Sequence, residues 1–121
     1  MGRVYAALND THTAFINQQH LFFVGTAPSG TEGHVNLSPK GLDSLVVLGE
    51  RQVAYVDFVG SGAETIAHLR DNGRICIMFC AFAGPPKILR LHGRGKVVEP
   101  ADVEFESLEA RFPTFEAPPA R

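Results

Sequence analysis

The stretch "VDFVGSGAETIAHL", residues 56–69, runs from an apolar strand-like segment through a short turn into a helical pattern. In the turn, Ser61 and Glu64 have the spacing of a capping box, in which each side chain satisfies a backbone N–H of the other residue. The free N–H groups and partial positive charge of a helix N-terminus also suit a phosphate, and Gly60 and Gly62 would let one approach the backbone. Two interpretations follow: a well-capped helix, or an anion held where the helix begins.

Patterns on either side of this stretch predict six strands and three helices, with Asp10 capping the first helix. The predicted strands are residues 20–27, 34–38, 44–49, 52–58, 74–82 and 87–99, and the predicted helices are residues 10–19, 63–72 and 101–111. Strand 74–82 is apolar on both faces and is expected at the centre of a sheet. Because closure removes exposed edges, the pattern favours a mainly β fold with short helices, closed as a small antiparallel barrel.

Composition limits the kind of protein. The chain has 121 residues, 45% of them hydrophobic, and a net charge of −2, which predicts one domain over residues 1–121 with an irregular, proline-rich tail at residues 112–121. It has no basic run for nucleic acid, no signal-peptide core and no apolar run long enough to cross a bilayer. We therefore expect a cytoplasmic protein with neither nucleic acid nor membrane as a partner.

Side chains suited to protein-only catalysis do not cluster in the sequence. Cys76 and Cys80 would lie on one face of a strand, too far apart for a disulfide, and no metal site is expected around them. His68 is expected at a helix surface or an interface. With no Ser-His-Asp, Cys-His or paired-carboxylate arrangement, no catalytic residue is identified, and a bound cofactor would have to supply the chemistry.

Two further stretches place cations near strand ends. "NLSPKG", residues 36–41, ends a strand in Pro-Lys-Gly, which is either a solvated strand end or a set of backbone groups presented beside one cation. In "ILRLHGRG", residues 88–95, Arg90, His92 and Arg94 share one face of a strand. On an outer face they would be solvated charges, whereas on an inner face they would require an anion.

Together these stretches resemble the pyridoxamine 5'-phosphate oxidase-like family of FMN-binding split barrels. The resemblance covers residues 15–99 and rests on "HVNLSPKG", "VAYVDFVGSGAETIAHLRDNGRICIMFCAF" and "PPKILRLHGRGKVVE" in that order. It implies a six-stranded antiparallel split barrel that forms a homodimer with FMN at the subunit interface. It assigns cofactor contacts to Asn36, Ser38 and Lys40, to Phe58 and Val59, to a phosphate-binding turn at Ser61, Gly62 and Thr65, and to Arg90.

The chain also departs from the oxidase itself. Where the oxidase has an Arg/Lys pair at the helix start, this chain has Glu64 and Thr65, so Lys40, Arg90 or the other subunit would have to meet the phosphate charge. Residues 109–121 do not match the C-terminal segment that contacts the vitamin substrate. The resemblance therefore implies an FMN-dependent oxidoreductase with another small-molecule substrate or electron donor, rather than pyridoxamine phosphate oxidation.

Three alternatives remain open. The first is a carrier or sensor without turnover that binds a flavin, a deazaflavin or haem, with His68 or His92 as the haem ligand. The second is an enzyme of this family that uses a deazaflavin in place of FMN. The third is a barrel dimer without a cofactor. If the turn holds a phosphate, Thr65→Glu is expected to abolish FMN retention while leaving the fold intact, because like charges repel at a desolvated site.

Overall fold

The computed structural model describes residues 2–41, 43–57 and 62–113, and the strands in these ranges form two antiparallel sheets. The strands are β1 Phe22–Thr26, β2 Asn36–Lys40, β3 Leu45–Gly49, β4 Gln52–Tyr55, β5 Arg74–Cys80 and β6 Ile88–Arg94, and the helices are α1 Asp10–Gln18, α2 Ala63–Asp71 and α3 Phe105–Glu109. Every predicted helix and strand is present, and most of them are shorter than the sequence pattern predicted.

The larger sheet has the strand order β2-β1-β5-β6, and β3 pairs with β4 in a separate hairpin. β5 lies between β1 and β6, as its apolar character on both faces predicted. Among the described residues, backbone hydrogen bonds do not join the two sheets into a closed barrel. The mainly β, antiparallel class is confirmed, and barrel closure stays a prediction.

Two element ends differ from the sequence pattern for reasons of strand pairing. β2 extends to Lys40 through Pro39, which an edge strand tolerates because one side of its backbone has no partner to bond. β6 ends at Arg94, not at residue 99, because its neighbour β5 begins at Arg74, the partner of Arg94. Beyond that point the described residues contain no strand for β6 to pair with.

Helix ends show two further differences. α1 is capped by Asn9, whose side chain accepts from the His12 backbone N–H at 2.9 Å while His12 Nδ1 accepts from the Asn9 backbone. Asp10 is therefore the first helical residue and not the cap, because the reciprocal pair with His12 starts the helix one residue earlier. α3 covers only Phe105–Glu109, since residues 100–104 form turns.

One face of the larger sheet builds the core. Phe22 and Val24 of β1 and Ile77 and Phe79 of β5 are buried there against two residues of α1. We call this the inner face. Side chains of the β3-β4 hairpin, Leu45, Val47, Val53 and Tyr55, pack against the same cluster. The core thus brings α1, the hairpin and the larger sheet together.

Both cysteines are free thiols, as their spacing predicted. Within the described ranges, none of the helices has the length and hydrophobicity needed to span a bilayer.

Candidate functional site

A row of polar side chains lies on the inner face of β2. Asn36, Ser38 and Lys40 are half-buried, whereas the two residues between them are exposed. Their register partners on β1 are the buried Thr26, Val24 and Phe22, and directly opposite residues share a face of the sheet. The polar side chains of "NLSPKG" are therefore turned inward, at the edge of the core, and the stretch is not a solvated strand end.

Lys40 at the end of this row forms an ion pair with Asp57. Its Nζ donates to Asp57 Oδ1 at 3.1 Å, and both side chains are only 8% exposed. Asp57 follows β4 at the point where Val56 N–H donates to Ser44 O at 2.8 Å. Two nearly buried opposite charges in contact are strongly coupled, because removing either one leaves the other without compensation.

The Asp57 carboxylate also lies against the start of α2. Gly62 is the N-cap residue of α2 with φ +88°, and a Cβ built at this position would overlap the Asp57 carboxylate. A glycine is therefore needed here for its left-handed backbone and for its lack of a side chain. The carboxylate stands where the partial positive charge of the helix favours an anion.

The predicted capping box is wrong. Because Gly62 is the N-cap, Glu64 is the second helical residue and not the third, and no side chain in the described part of the chain caps the helix start. The turn is organised by the positive φ of Gly62 and by the neighbouring Asp57, which the sequence pattern did not single out. Phe58, Val59 and Ser61, predicted to contact the cofactor, lie outside the described residues.

Asn36 and Thr65 join β2 to the first turn of α2. Asn36 Nδ2 donates to Thr65 Oγ1 at 3.0 Å, and Thr65 is 2% exposed. Two predicted site residues far apart in the sequence are thus brought together. The burial changes the expectation for Thr65→Glu, because a carboxylate at this position would be desolvated in the folded protein and would disrupt the fold itself.

Ser38 is the one residue of the polar row with an unsatisfied side chain. Its Oγ atom is buried and has no hydrogen-bond partner among the described residues. A buried hydroxyl without a partner is destabilising, so such groups in native proteins usually meet a ligand, a water molecule or an ion. This hydroxyl lies on the same face as Asn36 and Lys40, which flank it on β2.

α2 is fixed to β1 by a second buried contact. Thr26 Oγ1 and His68 Nδ1 lie 2.9 Å apart, and both residues are buried. The expectation that His68 is a surface or interface residue is wrong, because Thr65 and His68 are three residues apart and share the face of α2 that packs on the sheet. The sequence did contain a signal for this face, the spacing of Thr65 and His68, but a search for apolar residues at helical spacing does not count polar side chains.

The C-terminal end of α2 is held by Asn72. Its Nδ2 donates to Ala27 O at 2.8 Å, and its Oδ1 accepts from the Arg74 backbone N–H at 2.8 Å. Gly73 follows with φ +74°, which confirms it as the helix stop. Both ends of α2 are therefore tied to the larger sheet.

Arg90 lies away from this site. Its neighbour Leu91 pairs with the buried Ile77, so Arg90 is on the opposite, outer face, and β6 is three strand spacings from β2, about 14 Å. Cys76 shares the outer face; burial raises the pKa of its thiol, and the positive charge of Arg90 opposes that shift. Within one chain Arg90 does not join the polar row of β2, although it lines the open cleft that borders the site.

An open cleft of 1630 Å³ borders the site between the hairpin and β6. Tyr55, Asp57 and Thr65 line one side, and Leu89 and Leu91 line the other. Burial and, secondarily, the negative charge of Asp57 raise the pKa of the Tyr55 hydroxyl, which therefore stays a neutral hydrogen-bond donor. The cleft is large enough for a cofactor-sized ligand. None of the three polar-row side chains lines it, and it meets the row through Asp57 and Thr65, which contact Lys40 and Asn36.

Comparison with known proteins places these features in a family. Residues 8–121 match the family model described as "Pyridoxamine 5'-phosphate oxidase". Over 110 residues the chain is 48% identical to "Pyridoxamine 5'-phosphate oxidase family protein ustO" of Aspergillus flavus, a match that covers 89% of this chain and 44% of that protein. The chain thus spans less than half the length of this curated relative. No solved structure matches the chain. The chain belongs to the pyridoxamine 5'-phosphate oxidase family.

Proposed function

We propose that this chain is the cofactor-binding domain of an FMN-dependent oxidoreductase. The proposal is carried by the inward-facing polar row of β2, in which the buried Ser38 hydroxyl lacks a partner next to Asn36 and Lys40. Family membership supports a flavin in general, and the choice of FMN rests on the phosphate that Lys40 and the start of α2 would bind.

The described side chains suit this role. Asn36 and Ser38 offer an amide and a hydroxyl for the polar edge of a flavin and its ribityl chain, and Lys40 offers a cation for the phosphate. Gly62 has no side chain of its own at the start of α2, and Thr65 adds a hydroxyl in the first turn. The contacts assigned to Phe58, Val59 and Ser61 complete the proposed site.

When bound, the isoalloxazine ring supplies the redox chemistry by accepting a hydride or electrons at N5. The chain itself binds and orients the ring, and we name no side chain as a catalytic acid or base. We propose a small-molecule substrate or electron donor and assign no particular one.

The proposal includes a homodimer in which six strands close as a split barrel and Arg90 reaches the cofactor of the other subunit. Leu37 and Ile88 are exposed on the outer face at 69% and 58%, and burying them against a second copy would stabilise the pair. Light scattering on the purified protein measures the mass directly, and a monomer at micromolar concentration with FMN bound would contradict this part.

Ser38→Ala tests the proposed cofactor contact. Without ligand, the variant should unfold at the same temperature as the wild type or a higher one, because it removes an unsatisfied buried hydroxyl. With ligand, FMN should bind about three- to tenfold more weakly, the loss expected for one hydrogen bond. Flavin fluorescence quenching gives the affinities.

Ser29→Ala is the control, since this exposed serine lies between β1 and β2, outside the lining of the cleft, and its Oγ accepts from Asn72 Nδ2 at 3.2 Å. It should leave FMN affinity unchanged. Equal affinity in Ser38→Ala and the wild type would remove Ser38 from the site. A wild-type protein that binds no flavin at all would contradict the proposed function.

A further inference from the structure

The anion that the start of α2 would attract is already present as part of the chain. The Asp57 carboxylate contacts the N-cap Gly62 and accepts from Lys40 at 3.1 Å. It therefore already contacts the two groups proposed to bind a ligand phosphate, the start of α2 and the Lys40 ammonium. We propose that the Asp57 carboxylate is an internal anion that occupies the phosphate site in the ligand-free protein, an inference that rests on the proposed function. A phosphate-bearing ligand then binds by displacing its carboxylate.

The charges at the site make the two anions exclusive. A phosphate next to the Asp57 carboxylate would place like charges in contact in a region where both side chains of the ion pair are 8% exposed. Glu64, in the first turn of α2, adds a further negative charge. Among the described residues of this site, Lys40 supplies the one cation, so carboxylate and phosphate compete for it.

The same burial makes the exchange selective for anions. Pulling the carboxylate away leaves the buried Lys40 ammonium without compensation, which is strongly unfavourable unless another negative group replaces it. A phosphate restores a partner for Lys40, whereas an uncharged ligand such as riboflavin does not. A neutral ligand therefore does not displace the Asp57 carboxylate from Lys40. A phosphate can displace it, but its affinity is lowered by the free energy needed to break the ion pair.

Asp57→Asn removes the negative charge of the side chain and keeps its size and shape. The amide oxygen of asparagine can still accept from Lys40, while the competing negative charge is gone. We expect the variant to bind FMN about tenfold more tightly than the wild type and riboflavin equally well, since only FMN carries the phosphate. Fluorescence quenching with both flavins measures the ratio of the two affinities.

Asp71→Asn is the matched control, because it removes the same charge at the opposite end of α2, where the Asp71 carboxylate accepts from the Ser29 backbone N–H at 2.8 Å. Its FMN-to-riboflavin ratio should equal that of the wild type. A ratio in Asp57→Asn equal to or lower than that of the wild type would overturn the inference while leaving flavin binding intact.

A second measurement does not depend on flavin. Inorganic phosphate, added at constant ionic strength, should raise the unfolding temperature of Asp57→Asn more than that of the wild type or Asp71→Asn. If no flavin binds any of the proteins but this difference appears, the proposed oxidoreductase is wrong and the internal anion stands. An equal effect of phosphate on all three proteins overturns the internal anion. Should Asp57→Asn fold only when phosphate is present, that rescue supports the internal anion, because phosphate then replaces the missing partner of Lys40. A variant that stays unfolded in phosphate overturns it.

Discussion

At the scale of single residues, Gly62 and Asp57 answer the question raised by the glycine-rich turn. The N-cap residue of α2 is a glycine with φ +88°, and the Asp57 carboxylate lies against it. The sequence suggested either a cap or an anion, and the described residues provide an anion from within the chain. Gly62 is thus required for packing whether or not a ligand binds.

Gly62→Ala should lower the free energy of unfolding by about 2 kcal/mol. The left-handed backbone is unfavourable for alanine, and its Cβ would overlap the Asp57 carboxylate. Gly93→Ala on β6 is the control, because a Cβ there has no neighbour within 4 Å; its stability should be unchanged or raised by up to about 1 kcal/mol. Urea unfolding measures both, and equal stability of the two variants would contradict this reading of the turn.

Sequence reasoning reached part of the site and missed its central ion pair. Asn36, Ser38, Lys40 and Thr65 were assigned through the resemblance to the oxidase-like family, and the fold brings Asn36 to Thr65. Asp57 was missed because an acidic residue at the end of an apolar run resembles an ordinary strand end. Its partner Lys40 is 17 residues away in sequence, so only the fold brings the two charges together.

At the scale of elements, α2 is positioned by polar contacts and not by an apolar stripe. Its buried residues are Thr65 and His68, which contact Asn36 of β2 and Thr26 of β1. The helix itself was predictable from "ETIAHL" and the stop at Gly73. Its buried face was not, because periodicity of apolar residues gives no weight to a threonine and a histidine that find buried partners.

Thr26→Val should weaken the attachment of α2. Valine has nearly the same shape but cannot bond to His68, so the buried imidazole loses its partner and the free energy of unfolding should fall by about 1–2 kcal/mol. Thr11→Val on the exposed surface of α1 should change it by less than about 0.5 kcal/mol. Hydrogen exchange should also accelerate in α2, and a Thr26→Val protein as stable as the wild type would show that the contact contributes nothing.

At the scale of the whole molecule, the two faces of the larger sheet have different roles. The inner face holds the core and the polar row of β2, whereas the outer face carries Arg90, Cys76 and exposed apolar residues such as Ile88. The antiparallel class and the central position of β5 were predictable from alternation and from its doubly apolar pattern. The position of Arg90 was not, because it depends on which strands pair across long separations in the sequence, and closure of a barrel stays a prediction.

Uptake of FMN by the purified protein tests the central claim most directly. The protein is mixed with excess FMN, freed of unbound ligand on a sizing column coupled to light scattering, and examined by visible absorption, with mass spectrometry of what acid releases. We predict a flavin spectrum, an FMN mass and a particle of two chains. A Soret band would instead indicate haem, and a deazaflavin mass would replace FMN. A colourless protein that retains no FMN would contradict the account and leave the polar row of β2 as part of the fold alone.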